Sequence, residues 1–175
     1  MNNIYILSGP AGVGKSTTAK KLANQFDRSA YIEGDLINHM VVGGYHPPWE
    51  SKELLSLTWE NIADLSINFV QAQKNVIIDY VAFPEEVEKF SQKIYNQVTD
   101  VEIKYIVLWV DDAELLRRDA LRIKEYQMGV RCLELLDEFE RKGVNKRFIY
   151  NTTHIHPSNL NELLSIIREN PRFIF

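Results

Sequence analysis

Gly9, Gly12 and Gly14 lead into Lys15, Ser16 and Thr17 in the run Gly9-Pro10-Ala11-Gly12-Val13-Gly14-Lys15-Ser16-Thr17, which fits the spacing G-x-x-x-x-G-K-[ST] of a phosphate-binding loop. The glycines admit backbone conformations closed to residues with a Cβ, so successive N–H groups along Ala11 to Thr17 can face one anion. A helix starting at the end of the run adds unpaired N–H groups and the positive end of its dipole. Lys15 is placed to reach β- and γ-phosphates, and the Ser16 hydroxyl can ligate Mg²⁺. The implied chemistry is the binding of a nucleoside triphosphate.

Further candidates lie along the chain. Asp35 follows the run Ser29-Ala30-Tyr31-Ile32-Glu33, and a carboxylate just past the carboxyl end of a strand points into the crevice where open α/β sheets bind ligands. It could act as a base toward a substrate hydroxyl, contact Mg²⁺ through water, or merely cap the Leu36-Ile37-Asn38 turn. Asp79 ends the apolar run Asn75-Val76-Ile77-Ile78, a Walker-B-like pattern that would bring it near Mg²⁺; no Glu follows it. Tyr45, His46 and Trp49 sit among paired glycines and prolines in a loop over 41–50, as rings suited to stacking on a substrate. Arg118 and Arg122 stand four apart, hence on one helix face, and could converge on a phosphate. No arginine occurs between Arg28 and Arg117, so their clustering stands out against a merely solvated face in which Arg118 pairs with Glu114. Gly129 offers a flexible joint, as a closing lid over about 117–131 requires, and Arg131 follows it. Thr152, in Asn151-Thr152-Thr153-His154, could hydrogen-bond an adenine; His154 and His156 read as loop residues rather than metal ligands.

The elements that must position these residues alternate. Strands are expected at Asn3–Ser8, Ser29–Glu33, Asn75–Tyr80, Val101–Val110 and Arg147–Tyr150. Helices are expected at Ser16–Gln25, from a Ser51 cap to about Gln73, from Pro84 to about Val98, over Glu114–Lys124, over Val130–Arg141, and from Leu160 to a stop at Asn170-Pro171. In the long second helix Leu54, Leu55, Thr58, Trp59, Ile62, Leu65, Ser66 and Phe69 share a broad face, and Trp59 reads as core. Strand–helix alternation from end to end means an α/β chain with a parallel sheet and helices on both faces.

At 175 residues the chain suggests one domain, and its net charge of −4 argues against a general nucleic-acid footprint. Cys132 is the sole cysteine, which fits a reducing compartment, and no apolar run approaches the ~20 residues of a membrane span. Met1 leads straight into the first strand, so no signal peptide and a cytoplasmic location are expected.

With the phosphate loop, the acid after the second strand and an arginine-bearing segment before the fifth in place, the chain resembles the P-loop kinase group of nucleoside monophosphate, shikimate and gluconate kinases and chloramphenicol phosphotransferase. It is most similar to small bacterial proteins described as gluconate-kinase-like. The resemblance implies a three-layer fold with a five-stranded sheet in the order 2-3-1-4-5, ATP–Mg²⁺ as donor, and transfer to a small-molecule hydroxyl or phosphate. It implies P-loop roles for Lys15 and Ser16, an acceptor-side role for Asp35, and lid roles for Arg118 and Arg122. Between Glu33 and Glu60 five acids face the single base Lys52, whereas kinases of anionic acceptors place an arginine there. A neutral or cationic hydroxyl compound held by Tyr45, His46 and Trp49 is therefore the expected acceptor, with gluconate as runner-up. A GTPase is disfavoured because Asn145-Lys146-Arg147-Phe148 lacks the aspartate of N-K-x-D. A nucleic-acid end kinase and a regulatory nucleotide-binding protein remain as alternatives.

Overall fold

In β1 (Asn2–Ser8), Ile4 and Ile6 enter one hydrophobic core while Tyr5 and Leu7 enter another. The same alternation recurs in β3 (Asn75–Asp79), where Val76 and Ile78 oppose Ile77, and in β4 (Val101–Trp109), where Ile103, Tyr105 and Val107 oppose Ile106 and Leu108. A strand with apolar residues on both faces must be covered on both sides, which in a parallel sheet is the work of flanking helices. The computed structural model, which describes residues 2–155 and 159–175, meets that demand with two helical layers around a parallel sheet ordered β2-β3-β1-β4-β5, where β2 is Ser29–Glu33 and β5 is Ile149–Asn151.

Helices α1 (Lys15–Ala23) and α7 (Leu160–Glu169) cover one face, and α3 (Lys52–Gln71) and α4 (Pro84–Tyr95) the other. Between β2 and α3 runs the short α2 (Gly34–Asn38), and β4 is followed by α5 (Asp112–Ala120) and α6 (Val130–Arg141). The Ser51 hydroxyl caps α3 by accepting the Leu54 N–H at 3.2 Å, as the sequence predicts. The buried stripe of α3 is Thr58, Trp59, Ile62, Ala63, Ser66, Ile67 and Val70, so the expected Leu54, Leu55, Leu65 and Phe69 lie on its half-buried border. Trp59 is core, packed on Tyr80 and Phe90 at centroid distances of 5.6 and 5.8 Å.

Local caps account for two of the differences from the expected boundaries. Asp111 accepts the Glu114 N–H at 2.8 Å and starts α5 earlier than expected. Asn145 accepts the Arg147 N–H at 3.0 Å, which folds Lys146–Phe148 into a 3₁₀ turn and delays β5 to Ile149. Gly34–Asn38 is helical rather than a turn, with Glu33 at the cap position, so Asp35 stands in its first turn and is not the capping residue. Helix α4 also ends earlier, at Tyr95. Among the described residues, no helix is long and apolar enough to cross a membrane.

Register aligns the carboxyl ends that matter: Leu7 pairs with Asp79, Asp79 with Glu33, and Ser8 with Val107. The phosphate loop, α2 and the end of β3 thus emerge along one edge, and β1 at the centre has neighbours reached in opposite directions. That switch point is where an open α/β sheet leaves a crevice.

Candidate active site

A cleft of about 500 Å³ opens at this edge, lined by Ala11, Gly12, Gly14, Lys15, Ser16 and Thr17 on one side and by Asp35, Trp49, Tyr80 and Phe83 on the other. Its floor is the loop leaving β1. Gly9 takes φ +133°, and a Cβ there would stand 2.3 Å from the Leu108 carbonyl oxygen, so only glycine lets the loop leave the strand in this direction. The loop feeds α1 through Gly14, with no side-chain cap and no acid in the first turn. The first N–H groups of α1 are therefore left to an anion, a fit to a phosphate group that rests on the backbone itself.

The Lys15 ammonium turns back on the loop and donates to the carbonyl oxygens of Gly9 and Pro10, both at 2.9 Å. Burial pulls its pKa below the ordinary lysine value, and the carboxylates of Asp79 and Asp35 oppose that shift. Asp79 is 5% exposed and anchored through one oxygen, which accepts the Tyr31 hydroxyl at 2.8 Å. Ser16 and Asp79 line the same cleft, and among the described residues no set of three acids, histidines or cysteines gathers around a metal position. One hydroxyl and one carboxylate suit an ion such as Mg²⁺, which is commonly held by few protein ligands together with substrate phosphates. Asp35 is exposed to the water of the cleft, but the surrounding walls partly desolvate its carboxyl and raise its pKa, and Lys15 pulls it partly back.

The arginines differ from expectation. Helix α5 stops at Ala120, so Arg122 lies past its end and does not share a helix face with Arg118. Arg118 is not among the cleft residues: it donates to Glu114 at 2.6 Å, to the Val13 carbonyl at 3.0 Å, and to the hydroxyl and carbonyl of Thr152 at 3.1 and 2.8 Å. It braces the phosphate loop from behind. Glu114, held by Arg117 and Arg118, has its pKa pulled down to about 2. Arg122 does line the cleft, with Nη1 donating to Asp119 at 3.1 Å.

The expected lid segment is fastened rather than loose. The Asp119 carboxylate, 3% exposed, accepts the N–H groups of Met128 and Gly129 at 2.9 and 2.8 Å. The Gln127 amide donates to the carbonyls of Ala120 and Arg122. Arg131 enters the cleft wall with its guanidinium 5.2 Å from the Trp49 ring centroid and pairs with Glu134 at 2.9 Å.

Of the three loop rings, only Trp49 lines the cleft. Tyr45 packs on His39 at 5.4 Å and accepts from Asn38 at 3.5 Å, while His46 is exposed outside it. The adenine contact expected of Thr152 is not available: its N–H and hydroxyl both donate to the Trp109 carbonyl, at 2.7 and 3.1 Å, and Arg118 occupies its acceptors. His154 is a loop residue, and His156 falls outside the described residues.

Asp119 and Tyr31 are the residues that sequence reasoning passed over. Asp119 had a signal, because an acid in the last turn of a helix opposes the dipole and needs a partner to hold it. Tyr31 had none, because nothing local to β2 marks it as the partner of Asp79.

Residues 4–142 match the model of a family described as the AAA domain. Among solved structures, the chain is similar to a sugar kinase from Janibacter sp. HTCC2649, with 14% identity, a TM-score of 0.69, and 98% of this chain and 96% of that chain covered. It is similar to the tunicamycin resistance protein of Deinococcus radiodurans at 15% identity, TM-score 0.67, with 97% and 96% covered. A gluconokinase from Sinorhizobium meliloti 1021 follows at 16% identity, TM-score 0.61, with 95% and 89% covered. At these identities the likeness is one of fold.

Proposed function

This chain belongs to the AAA domain family, and from that premise we propose that it is a kinase that takes the γ-phosphoryl group of ATP–Mg²⁺ and transfers it to a hydroxyl of a small molecule. The observation that carries the reading is that Lys15 and Asp35 face one cleft across which a donor and an acceptor can meet. The same fold in a sugar kinase and a gluconokinase supports phosphoryl transfer over simple nucleotide binding.

When bound, ATP supplies the phosphoryl group and Mg²⁺ neutralises its charge, with Ser16 and Asp79 as the ligands this chain offers. The loop N–H groups and α1 hold the phosphates, and Lys15 exchanges its carbonyl contacts for phosphate oxygens. Asp35 takes the proton of the acceptor hydroxyl as that oxygen bonds to phosphorus and the β,γ-bridging oxygen leaves with ADP. Its raised pKa suits a base better than an ordinary carboxylate would be suited. Arg122 is the cleft arginine placed to offset charge, and Arg118 acts through the loop it braces.

The acceptor side has apolar walls at Trp49, Leu55, Phe83 and Leu135, and acids at Asp35, Glu86 and Glu138. Arg131 there is already paired with Glu134, so the walls favour a neutral or cationic alcohol over a sugar acid such as gluconate. A cytoplasmic setting, where ATP is abundant and Cys132 stays reduced, fits this reading. The test is ADP release from ATP–Mg²⁺ across gluconate, shikimate, nucleosides, aminoglycosides and chloramphenicol, with Asp35→Ala as control. Stimulation by a neutral or cationic alcohol that disappears in Asp35→Ala is the expected result. Tight nucleotide binding with no stimulation by any compound would overturn the reading in favour of a nucleotide-dependent regulator.

A further inference from the structure

Glu33 and Asp79 are register partners at the carboxyl ends of β2 and β3, so two carboxylates stand side by side on neighbouring strands. Paired strands lie about 5 Å apart, a separation at which like charges repel. Tyr31, two residues before Glu33, shares its face of β2 and brings a phenol between the two acids. Its hydroxyl donates to Asp79 Oδ2 at 2.8 Å and lies 3.3 Å from Glu33 Oε2. Glu33 has a cation of its own, the Lys20 ammonium at 3.7 Å, which also stands 5.3 Å from the centroid of the Tyr31 ring. One proton cannot serve both acids equally, and the shorter distance gives it to Asp79. Burial, and after it the Asp79 hydrogen bond, push the phenol's pKa up, so it stays a donor.

The hold on Asp79 is one-sided. Among the described residues, Oδ2 has the Tyr31 hydroxyl and Oδ1 receives no hydrogen bond, while Asp79 lines the cleft together with Ser16. The residue is only 5% exposed, so the hydrogen bond decides which of its oxygens is left over. Mg²⁺ demands near-ideal octahedral geometry, which the narrow bite of a two-oxygen carboxylate contact spoils. Ca²⁺ accepts both oxygens of one carboxylate in a looser shell.

Resting on the kinase reading, in which Ser16 and Asp79 are the ligands offered to Mg²⁺, we propose that Tyr31 is the positioning residue of that metal site. By holding Oδ2 it presents Asp79 Oδ1 alone to the ion, and so favours Mg²⁺ over Ca²⁺. Tyr31 is not among the cleft residues and acts through Asp79.

The experiment uses the full chain and measures ATP affinity by equilibrium dialysis in EDTA, in Mg²⁺ and in Ca²⁺. The ratio of affinity with metal to affinity in EDTA is the gain that each ion brings. Tyr31→Phe keeps the ring and removes only the hydroxyl. Its affinity in EDTA is expected within about twofold of wild type, since the phosphate loop is untouched. Its Mg²⁺ gain is expected to fall about tenfold, the usual loss when the hydrogen-bond partner of a metal-ligating side chain is removed, and its Ca²⁺ gain to stay within about twofold. In an Asp79→Ala background there is no carboxylate to hold, and Tyr31→Phe is expected to change neither gain. An unchanged Mg²⁺ gain in Tyr31→Phe, an equal fall for both ions, or a further fall in the Asp79→Ala background overturns the inference. So does a Tyr31→Phe chain that no longer binds ATP in EDTA, which marks the hydroxyl as a prop of the fold, or a wild-type chain with no Mg²⁺ gain. Failure of the kinase reading itself looks different: ATP binds with its full Mg²⁺ gain and no acceptor stimulates ADP release.

Discussion

At the scale of single residues, the carboxyl of Asp35 sets the pH behaviour. Partial desolvation in the cleft raises its pKa against the pull of Lys15, an effect that solvent screens at this exposed residue, so the native chain holds this proton somewhat more tightly than the unfolded chain does. Ionisation therefore costs the fold as pH rises through the raised value, and below the ordinary carboxyl value of about 4 both states are protonated and the cost vanishes. Asp35→Asn should melt above the wild-type temperature near neutral pH, with the gap closing toward acid pH, while losing acceptor-dependent ADP release. Thermal melts across a pH series check the first part and turnover the second. The phosphate loop was legible residue by residue because its chemistry depends on local spacing. Tyr31 was not, because its part rests on a carboxylate 48 positions later in the chain that only the pairing of β2 with β3 brings beside it.

Among the elements, α5 is the one whose part changed. Read as a helix running to Lys124, it would present Arg118 and Arg122 together. It ends at Ala120, where the Asp119 carboxylate gathers the N–H groups of Met128 and Gly129. No periodicity within α5 foretells that contact, which depends on a segment returning from further along the chain. The helix ends up as a strut: Arg118 ties the Val13 carbonyl to the end of β5 at Thr152. Arg118→Ala should destabilise the chain by about 1–3 kcal/mol, since it strips buried carbonyls of their donor. It should also weaken ATP binding several-fold without changing the pH profile of turnover. Denaturant titration and nucleotide affinity report the two effects separately.

Over the whole molecule, strand order and layering were legible because the central residues of β1, β3 and β4 are apolar on both faces, which leaves a parallel sheet with two covers as the solution. The position of the cleft followed from that order. The acceptor wall did not, since the loop carrying Trp49 has no periodic pattern and brings only one of its three rings inward. Because the phosphate loop joins the central strand to α1, nucleotide binding should stabilise the entire sheet. ATP–Mg²⁺ at a hundredfold excess over its dissociation constant is expected to add roughly 2.7 kcal/mol. For a chain of this size that is a rise of roughly 5–10 °C in melting temperature. Lys15→Met should lose most of the rise, which differential scanning measurements would register.

The contact of the Lys15 ammonium with the Gly9 and Pro10 carbonyls has a thermodynamic consequence of its own. Without nucleotide this lysine carries a lowered pKa, and the negative charge of a triphosphate beside it would raise that value again. Between the two values, complex formation must draw a proton from solution. The heat of binding at alkaline pH should then vary with the ionisation enthalpy of the buffer chosen, and that dependence should vanish in Lys15→Met.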